Sequence, residues 1–252
     1  MDSHIAFDRL YSELHRKLQV IARGANASVH FESRLIQTED LGGIRFRLPK
    51  PTLLWDVKQR GSSTSNRKVA IFVDGSFLIE GSHLAKLDSA FAIYAIEVQR
   101  STSIIELKDA FHFDAEVEPQ TCFHPIFHVQ RGVQKSLNLA CLRSRIEELG
   151  LAERLGRQME FREGNSSTFS RDVRIPTPQM DYGAVLVTIA ADFFCEKNAR
   201  NEIKAGFQQL LSVAMKSGIS VQGRSAKTLE GRWQGEGKAP FCAGHWYQES
   251  CR

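Results

Sequence analysis

The feature that most constrains the fold is a change in hydrophobic periodicity along the chain. Residues 5–23 repeat apolar side chains at helical spacing, whereas residues 27–130 alternate short β-branched or aromatic runs with turn residues. After Gly132 the helical spacing returns. Strands gathered in one segment, with helices before and after it, predict an α+β fold rather than alternating strand–helix units.

The central segment is expected to form about seven strands. The predicted ranges are 28–37, 44–48, 52–59, 68–79, 90–99, 103–114 and 124–130. Most of the links between them are short, and Gly42-Gly43 is typical of a hairpin turn. Because short links join antiparallel neighbours, the sequence predicts an antiparallel sheet.

The flanking segments complete a single predicted domain over residues 1–218. Helices are expected over 5–23, 178–195 and 199–217, and one or two helices across 136–160. We expect them to pack on one face of the sheet. Residues 219–252 contain five glycines and are predicted to be a glycine-rich C-terminal tail.

Composition excludes several classes of protein. The chain has 252 residues, of which 42% are hydrophobic and 25% charged, as is typical of globular domains. No apolar run is long enough to span a bilayer, and Met1 to Arg23 do not have the pattern of a signal peptide. Five widely spaced cysteines without a CxxC pair favour a reducing compartment. We therefore expect a cytoplasmic protein with no membrane partner.

The densest polar pattern lies near the end of the strand-rich segment, in FHFD (111–114) and FHPIFHVQ (123–130). Side chains alternate between the faces of a strand, so His112 and Asp114 share one face. His124, His128 and Gln130 share one face of the next strand by the same rule. If the two strands pair, the three histidines and the aspartate converge.

Such a cluster has two possible roles. Histidine and aspartate ligands suit zinc, manganese or iron, and a bound divalent metal would generate hydroxide near neutral pH. Without metal, the His–Asp pair would serve as a general base and its orienting group. The alternative is a polar sheet face with hydrogen-bonded structural histidines. Pro125 would interrupt a regular strand, and a one-residue change of register would scatter the set.

Other carboxylates are weaker candidates. Asp74 with Glu97 and Gln99 faintly resembles the carboxylate pattern of magnesium-dependent nucleases, although glutamine stands where lysine is usual. Asp192 lies in an otherwise apolar helix, where a charge requires a partner. Motifs of nucleotide loops, dinucleotide-binding folds, nucleophile elbows and zincins are absent from the sequence.

The HFD and HPIFHVQ runs, followed by RIPTPQMD ahead of an apolar helix, form one further pattern. This pattern resembles uncharacterised bacterial proteins of unknown function over residues 111–194. The resemblance implies no activity and assigns no catalytic residues.

Three functions are compatible with these features. The first is a non-catalytic accessory protein of a bacterial multi-protein system, which binds another protein through aromatic residues of the tail. These residues are Trp233, Phe241, Trp246 and Tyr247. The second is a metal-dependent hydrolase or nuclease that uses His112, Asp114, His124 and His128, with Gln130 and Asp192 in support. The third is a nucleic-acid-binding module, because residues 1–70 carry twelve basic and seven acidic side chains.

Overall fold

A computed structural model describes most of the chain between residues 3 and 221. The described ranges are 3–40, 42–58, 67–80, 83–99, 101–116, 127–155, 158–163, 175–176, 182–196, 198–215 and 220–221. The helices are α1 Ser3–Gly24, α2 Leu139–Glu148, α3 Leu151–Leu155, α4 Tyr182–Phe194 and α5 Asn201–Met215. A short 3-10 helix, Lys135–Leu137, precedes α2.

Eleven strands of the described residues join in one sheet. They are β1 Ser28–His30, β2 Ile36–Asp40, β3 Gly43–Arg47, β4 Thr52–Lys58, β5 Arg67–Glu80, β6 His83–Val98, β7 Thr102–Glu116, β8 Phe127–Arg131, β9 Gln158–Arg162, β10 Ile175–Pro176 and β11 Ser220–Val221. The strand order is β1-β4-β5-β6-β7-β8-β10. The predicted α+β class and the antiparallel sheet are confirmed.

Two of the strands depart from the antiparallel pattern. β9 runs parallel to β7, and β11 runs parallel to β6. β3 extends the edge of β5 beyond β4, because β4 pairs with its first half and β3 with residues 76–79. β11 belongs to the predicted tail, so at least Ser220–Val221 of that segment join the sheet.

Apolar side chains cover both faces of the sheet along β5, where successive residues point to opposite faces. Val69, Ile71 and Val73 belong to one core cluster, while Ala70 and Phe72 belong to the other. Helices α1, α4 and α5 cover the first face. The second face is covered by the 3-10 helix, α2 and α3. The expectation that all helices pack on one face was therefore wrong for these elements.

The longest helix, α1, follows directly from its sequence. Tyr11, Leu14, Leu18 and Ile21 recur three or four residues apart and are almost fully buried. This apolar stripe packs on α4, α5 and the sheet. No described helix has both the length and the apolar character that crossing a bilayer requires.

The 3-10 helix is fixed over the second face of the sheet. The Tyr94 hydroxyl of β6 donates a hydrogen bond to the Leu137 carbonyl at 2.5 Å. The side chain of Asn138 caps α2 by accepting a hydrogen bond from the Cys141 backbone at 2.9 Å. These contacts hold Gln134 and Lys135 beside the polar part of the sheet.

Candidate metal centre

Beyond the area covered by the 3-10 helix and α2, the second face of the sheet becomes polar. Five directly opposed residues form a row across β3, β5, β6, β7 and β8. They are Arg47, Ser76, Asp88, Asp114 and His128. This polar row lies on one face because each strand contributes a single residue at the same register position.

A second row lies two residues further along the strands, about 7 Å away. Its members are Asp74, Ala90, His112 and Gln130. Both rows face the same side of the sheet, because side chains two residues apart on a strand point the same way. The fold thus brings the two HFD residues together with the second histidine and the glutamine of HPIFHVQ.

His112 lies at the centre of the resulting cluster. Its Nε2 is 3.0 Å from Asp88 Oδ1 and 3.1 Å from Asp114 Oδ1. The Gln130 amide hydrogen-bonds to His112 Nδ1 at 3.1 Å. The Gln134 amide also donates to Asp88 Oδ1. His112 therefore has a polar partner on each ring nitrogen, which fixes the orientation of the imidazole.

The cluster extends from the protein interior to the solvent. His128 is 1% exposed, and its Nε2 lies 3.3 Å from Asp114 Oδ2. The side chains of Asp114 and Asp88 are 21% and 42% exposed. Asp114 bridges the two histidines, and Asp88 offers the accessible end at which a small ligand would enter.

The buried charges shift the ionisation of the cluster. Burial alone would lower the pKa of His112, but hydrogen bonds to Asp114 and Asp88 outweigh it and raise that pKa to about 9. Burial would raise the pKa of Asp114, but hydrogen bonds from His112 and His128 hold it well below its usual range. A proton on His112 Nε2 thus lies between two carboxylates.

The same position suits a divalent cation. One ligand atom from each of Asp88, His112 and Asp114 lies within 4.8 Å of the others. Two ligands about 2.1 Å from a cation and at right angles to each other are separated by about 3.0 Å. The distances from Nε2 to the two carboxylates match that edge. One imidazole with two carboxylates is a donor set for zinc, manganese or iron.

An open pocket of about 420 Å³ adjoins the accessible end of the cluster. It is lined by Arg47, Leu48, Asp74, Gly75, Ser76, Asp88, Gln134, Lys135 and Ser136. Asp88 belongs to both the pocket and the cluster, so a molecule in the pocket would be within reach of a cation held by the three ligands.

Tyr94→Phe tests whether the hydrogen bond from Tyr94 to Leu137 anchors the 3-10 helix beside the pocket. The variant leaves the Leu137 carbonyl without its hydroxyl partner, so the free energy of unfolding is expected to fall by about 1–3 kcal/mol. Urea unfolding followed by circular dichroism measures the change. A variant as stable as the unmodified chain would show that this hydrogen bond does not anchor the 3-10 helix.

Several residues singled out in the sequence lie elsewhere. His124 and the tail aromatics Trp233, Phe241, Trp246 and Tyr247 lie outside the described residues. Glu97 lies opposite Arg67 at the start of β5, whereas Asp74 lies opposite Ala90, so the nuclease-like carboxylate pattern, the weaker of the readings, does not form. Asp192 is exposed near the end of α4, so its charge faces solvent and does not require a partner in the protein interior.

Asp88 was missed because the strand was predicted to begin at residue 90. The alternation Asp88-Ala90-Ala92 continues that strand toward its N-terminus, and this signal places Asp88 on the face of His112.

His15 was also missed. It lies on the other face of the sheet with Thr52 and Tyr182, and it is not part of the cluster.

The side chains of Asp88, His112 and Asp114, with a buried histidine behind them and an adjoining pocket, thus occur on one face of the sheet. No protein-family model, curated protein or solved structure matches the chain, so no family is assigned to it.

Proposed function

We propose that this protein is a divalent-metal-dependent hydrolase with Asp88, His112 and Asp114 as metal ligands. The supporting observation is the convergence of one nitrogen and two oxygen ligand atoms beside an open pocket. His112 would have to release its Nε2 proton to bind a cation, after which two carboxylates and a neutral imidazole would balance the divalent charge. The remaining coordination positions would be open to water and substrate.

The chemistry follows from this ligand set. A divalent cation held by Asp88, His112 and Asp114 would lower the pKa of a bound water and polarise the substrate bond. In such a hydrolysis the water oxygen would bond to the electrophilic atom as the bond to the leaving group breaks, and the water proton would pass to the leaving group. His128 would act through Asp114, because its Nε2 lies 3.3 Å from the carboxylate and orients it.

The other two functions remain predictions. The accessory-protein hypothesis depends on tail residues outside the described part of the chain. The nucleic-acid hypothesis depends on basic residues near the N-terminus, of which Arg45 forms an ion pair with Asp40 at 2.6 Å. Neither function has a set of described residues comparable to the Asp88–His112–Asp114 cluster in its support.

Metal affinity tests the proposal directly. After treatment with a chelator and its removal, the full chain is titrated with Mn²⁺ in an isothermal calorimeter. We expect about one site per chain, and affinity at least about 100-fold weaker in His112→Gln, since a ligand is lost. His30→Gln is the matched control, because His30 lies on β1 and bonds to Ser28 instead. That variant is expected to bind Mn²⁺ like the unmodified chain.

Two results would refute the proposal. Equal affinity in His112→Gln and the unmodified chain would place the cation elsewhere. Failure of the folded chain to bind Mn²⁺, Zn²⁺ or Fe²⁺ would exclude metal-dependent chemistry and leave the His–Asp cluster to metal-free proton transfer. Circular dichroism of each variant confirms that the fold is retained.

A further inference from the structure

Among the described residues, two cations that line the pocket have no carboxylate partner. Arg47 and Lys135 are exposed and line the same pocket as Asp88. Neither forms an ion pair with any side chain in the described ranges. Arg45, two residues before Arg47 on β3, pairs with Asp40 at 2.6 Å. The guanidinium of Arg47 thus has no described carboxylate partner, whereas that of Arg45 on the same strand has one.

The two cations approach Asp88 from different sides. Arg47 stands in the polar row two strands from Asp88, with Ser76 between them, at a backbone separation of about 10 Å. Lys135 follows Gln134, whose amide donates to Asp88. A ligand beside Asp88 would therefore meet a guanidinium from β3 and an ammonium from the 3-10 helix.

The charge of the pocket favours an anion once the metal is bound. The cation would neutralise Asp88 and Asp114, which leaves Arg47 and Lys135 against the single carboxylate of Asp74. Asp74 Oδ1 already accepts a hydrogen bond from the Gly75 backbone at 2.8 Å. The hydroxyls of Ser76 and Ser136 add neutral donors. Such a pocket combines a cation, a guanidinium fork and an ammonium around one volume.

We propose that the substrate is a small phosphate monoester, an inference that rests on the proposed hydrolase function. A phosphoryl group offers one oxygen to each of three cationic groups, whereas a carboxylate has only two oxygens. Arg47 and Lys135 bind two of the non-bridging oxygens, and the third lies at the Asp88–His112–Asp114 ligands. Water forms a new P–O bond, the ester P–O bond breaks, and the released alcohol takes the proton. A pocket of about 420 Å³ accommodates a small ligand.

Inorganic phosphate binding tests this proposal apart from turnover. The Mn²⁺-loaded full chain is titrated with phosphate in parallel with Arg47→Met, Lys135→Met and the double variant. Each single change is expected to weaken binding about 10-fold and the double change about 100-fold. Arg45→Met is the matched control, and we expect less than a 2-fold change. Hydrolysis of p-nitrophenyl phosphate and p-nitrophenyl acetate is measured with the same proteins.

The outcomes separate the substrate class from the hydrolase function. If Mn²⁺ binds but phosphate does not, or if both methionine variants bind phosphate normally, the phosphate proposal is overturned and the hydrolase stands. A larger Mn²⁺-dependent acceleration over uncatalysed hydrolysis for the acetate than for the phosphate ester has the same meaning. If Mn²⁺ itself does not bind, both proposals fail. Higher KM for the phosphate ester in Arg47→Met and Lys135→Met, with acetate cleavage unchanged, supports the assignment.

Discussion

Acidification from pH 6.5 to pH 4 is expected to lower the free energy of unfolding by about 3 kcal/mol through His15 alone. The side chain is fully buried, and its Nδ1–H donates to the Tyr11 carbonyl at 3.0 Å. Nε2, the acceptor nitrogen, lies 3.1 Å from the Thr52 hydroxyl and 3.2 Å from the Tyr182 hydroxyl, which share its single lone pair. Burial lowers the pKa of His15 from 6.5 to about 4, because an imidazolium there would lose its hydration.

The sign follows from proton binding. Between pH 6.5 and pH 4 the unfolded chain holds a proton on His15 that the folded chain does not. The contribution of His15 is therefore fully present above pH 6.5 and is lost as the pH falls toward 4. Asp114 adds a further loss only below about pH 4, because its pKa is lowered from an ordinary value of 3.8.

His112 produces the opposite slope in the metal-free protein. Its pKa is raised from 6.5 to about 9, so the folded chain binds the proton more tightly than the unfolded chain. That contribution is fully present below pH 6.5 and is lost as the pH rises through 9. The two histidines together predict that the metal-free protein is most stable near pH 6.5.

Urea unfolding from pH 4 to pH 9.5, in the presence of a chelator, measures both slopes. His15→Gln is expected to flatten the acid side and leave the alkaline side unchanged. His112→Gln is expected to flatten the alkaline side and leave the acid side unchanged. An acid slope that survives unchanged in a folded His15→Gln protein would assign the acid loss to other groups.

Asp114→Asn is expected to lower kcat/KM for metal-dependent hydrolysis by about a thousandfold, or about 4 kcal/mol of transition-state stabilisation. The carboxylate of Asp114 is both a proposed ligand and the common partner of His112 and His128. An asparagine keeps the shape but loses the charge that holds the cation and the two imidazoles. Asp114→Asn therefore removes a proposed metal ligand and the shared partner of the two histidines at the same time.

Asp109→Asn is the matched control for this prediction. Asp109 lies on the same strand but pairs with Arg131 at 2.7 Å, away from the cluster. It is expected to retain kcat/KM within about 2-fold, since its carboxylate contacts Arg131 and no residue of the cluster. Raising Mn²⁺ to saturation separates lost affinity from lost orientation, and we expect kcat of Asp114→Asn to stay low. Activity of Asp114→Asn close to that of Asp109→Asn would remove Asp114 from the mechanism.

Strand periodicity was a good guide to the fold where the strands are long. β5, β6 and β7 are long enough for the alternation to be plain, and they form the centre of the sheet. β10 and β11 each have two residues, too few for any periodicity to show. Helices were predicted over 136–160, but their packing on the second face of the sheet was not, because local sequence does not specify which face a helix covers.

The sequence predicted which site residues share a face of one strand, but not which strands lie side by side. Alternation puts His112 with Asp114 and His128 with Gln130, and these groupings need no tertiary information. Their meeting depends on the register of β7 and β8, which local sequence does not specify. Asp88, Arg47 and Lys135 come from other elements, and only the folded sheet brings them to one pocket.

The polar row also has a consequence for ion size. Asp88 and Asp114 stand on neighbouring strands whose separation, about 4.8 Å, is set by backbone hydrogen bonds rather than by loops. A larger ion cannot widen that spacing without breaking the ladder, so only rotation of the side chains remains. Calcium requires six to eight oxygen ligands at about 2.4 Å, which a single imidazole and two carboxylates on adjacent strands do not supply. If the cluster holds a metal as proposed, the stiffness of the sheet would favour the smaller transition-metal ions over calcium.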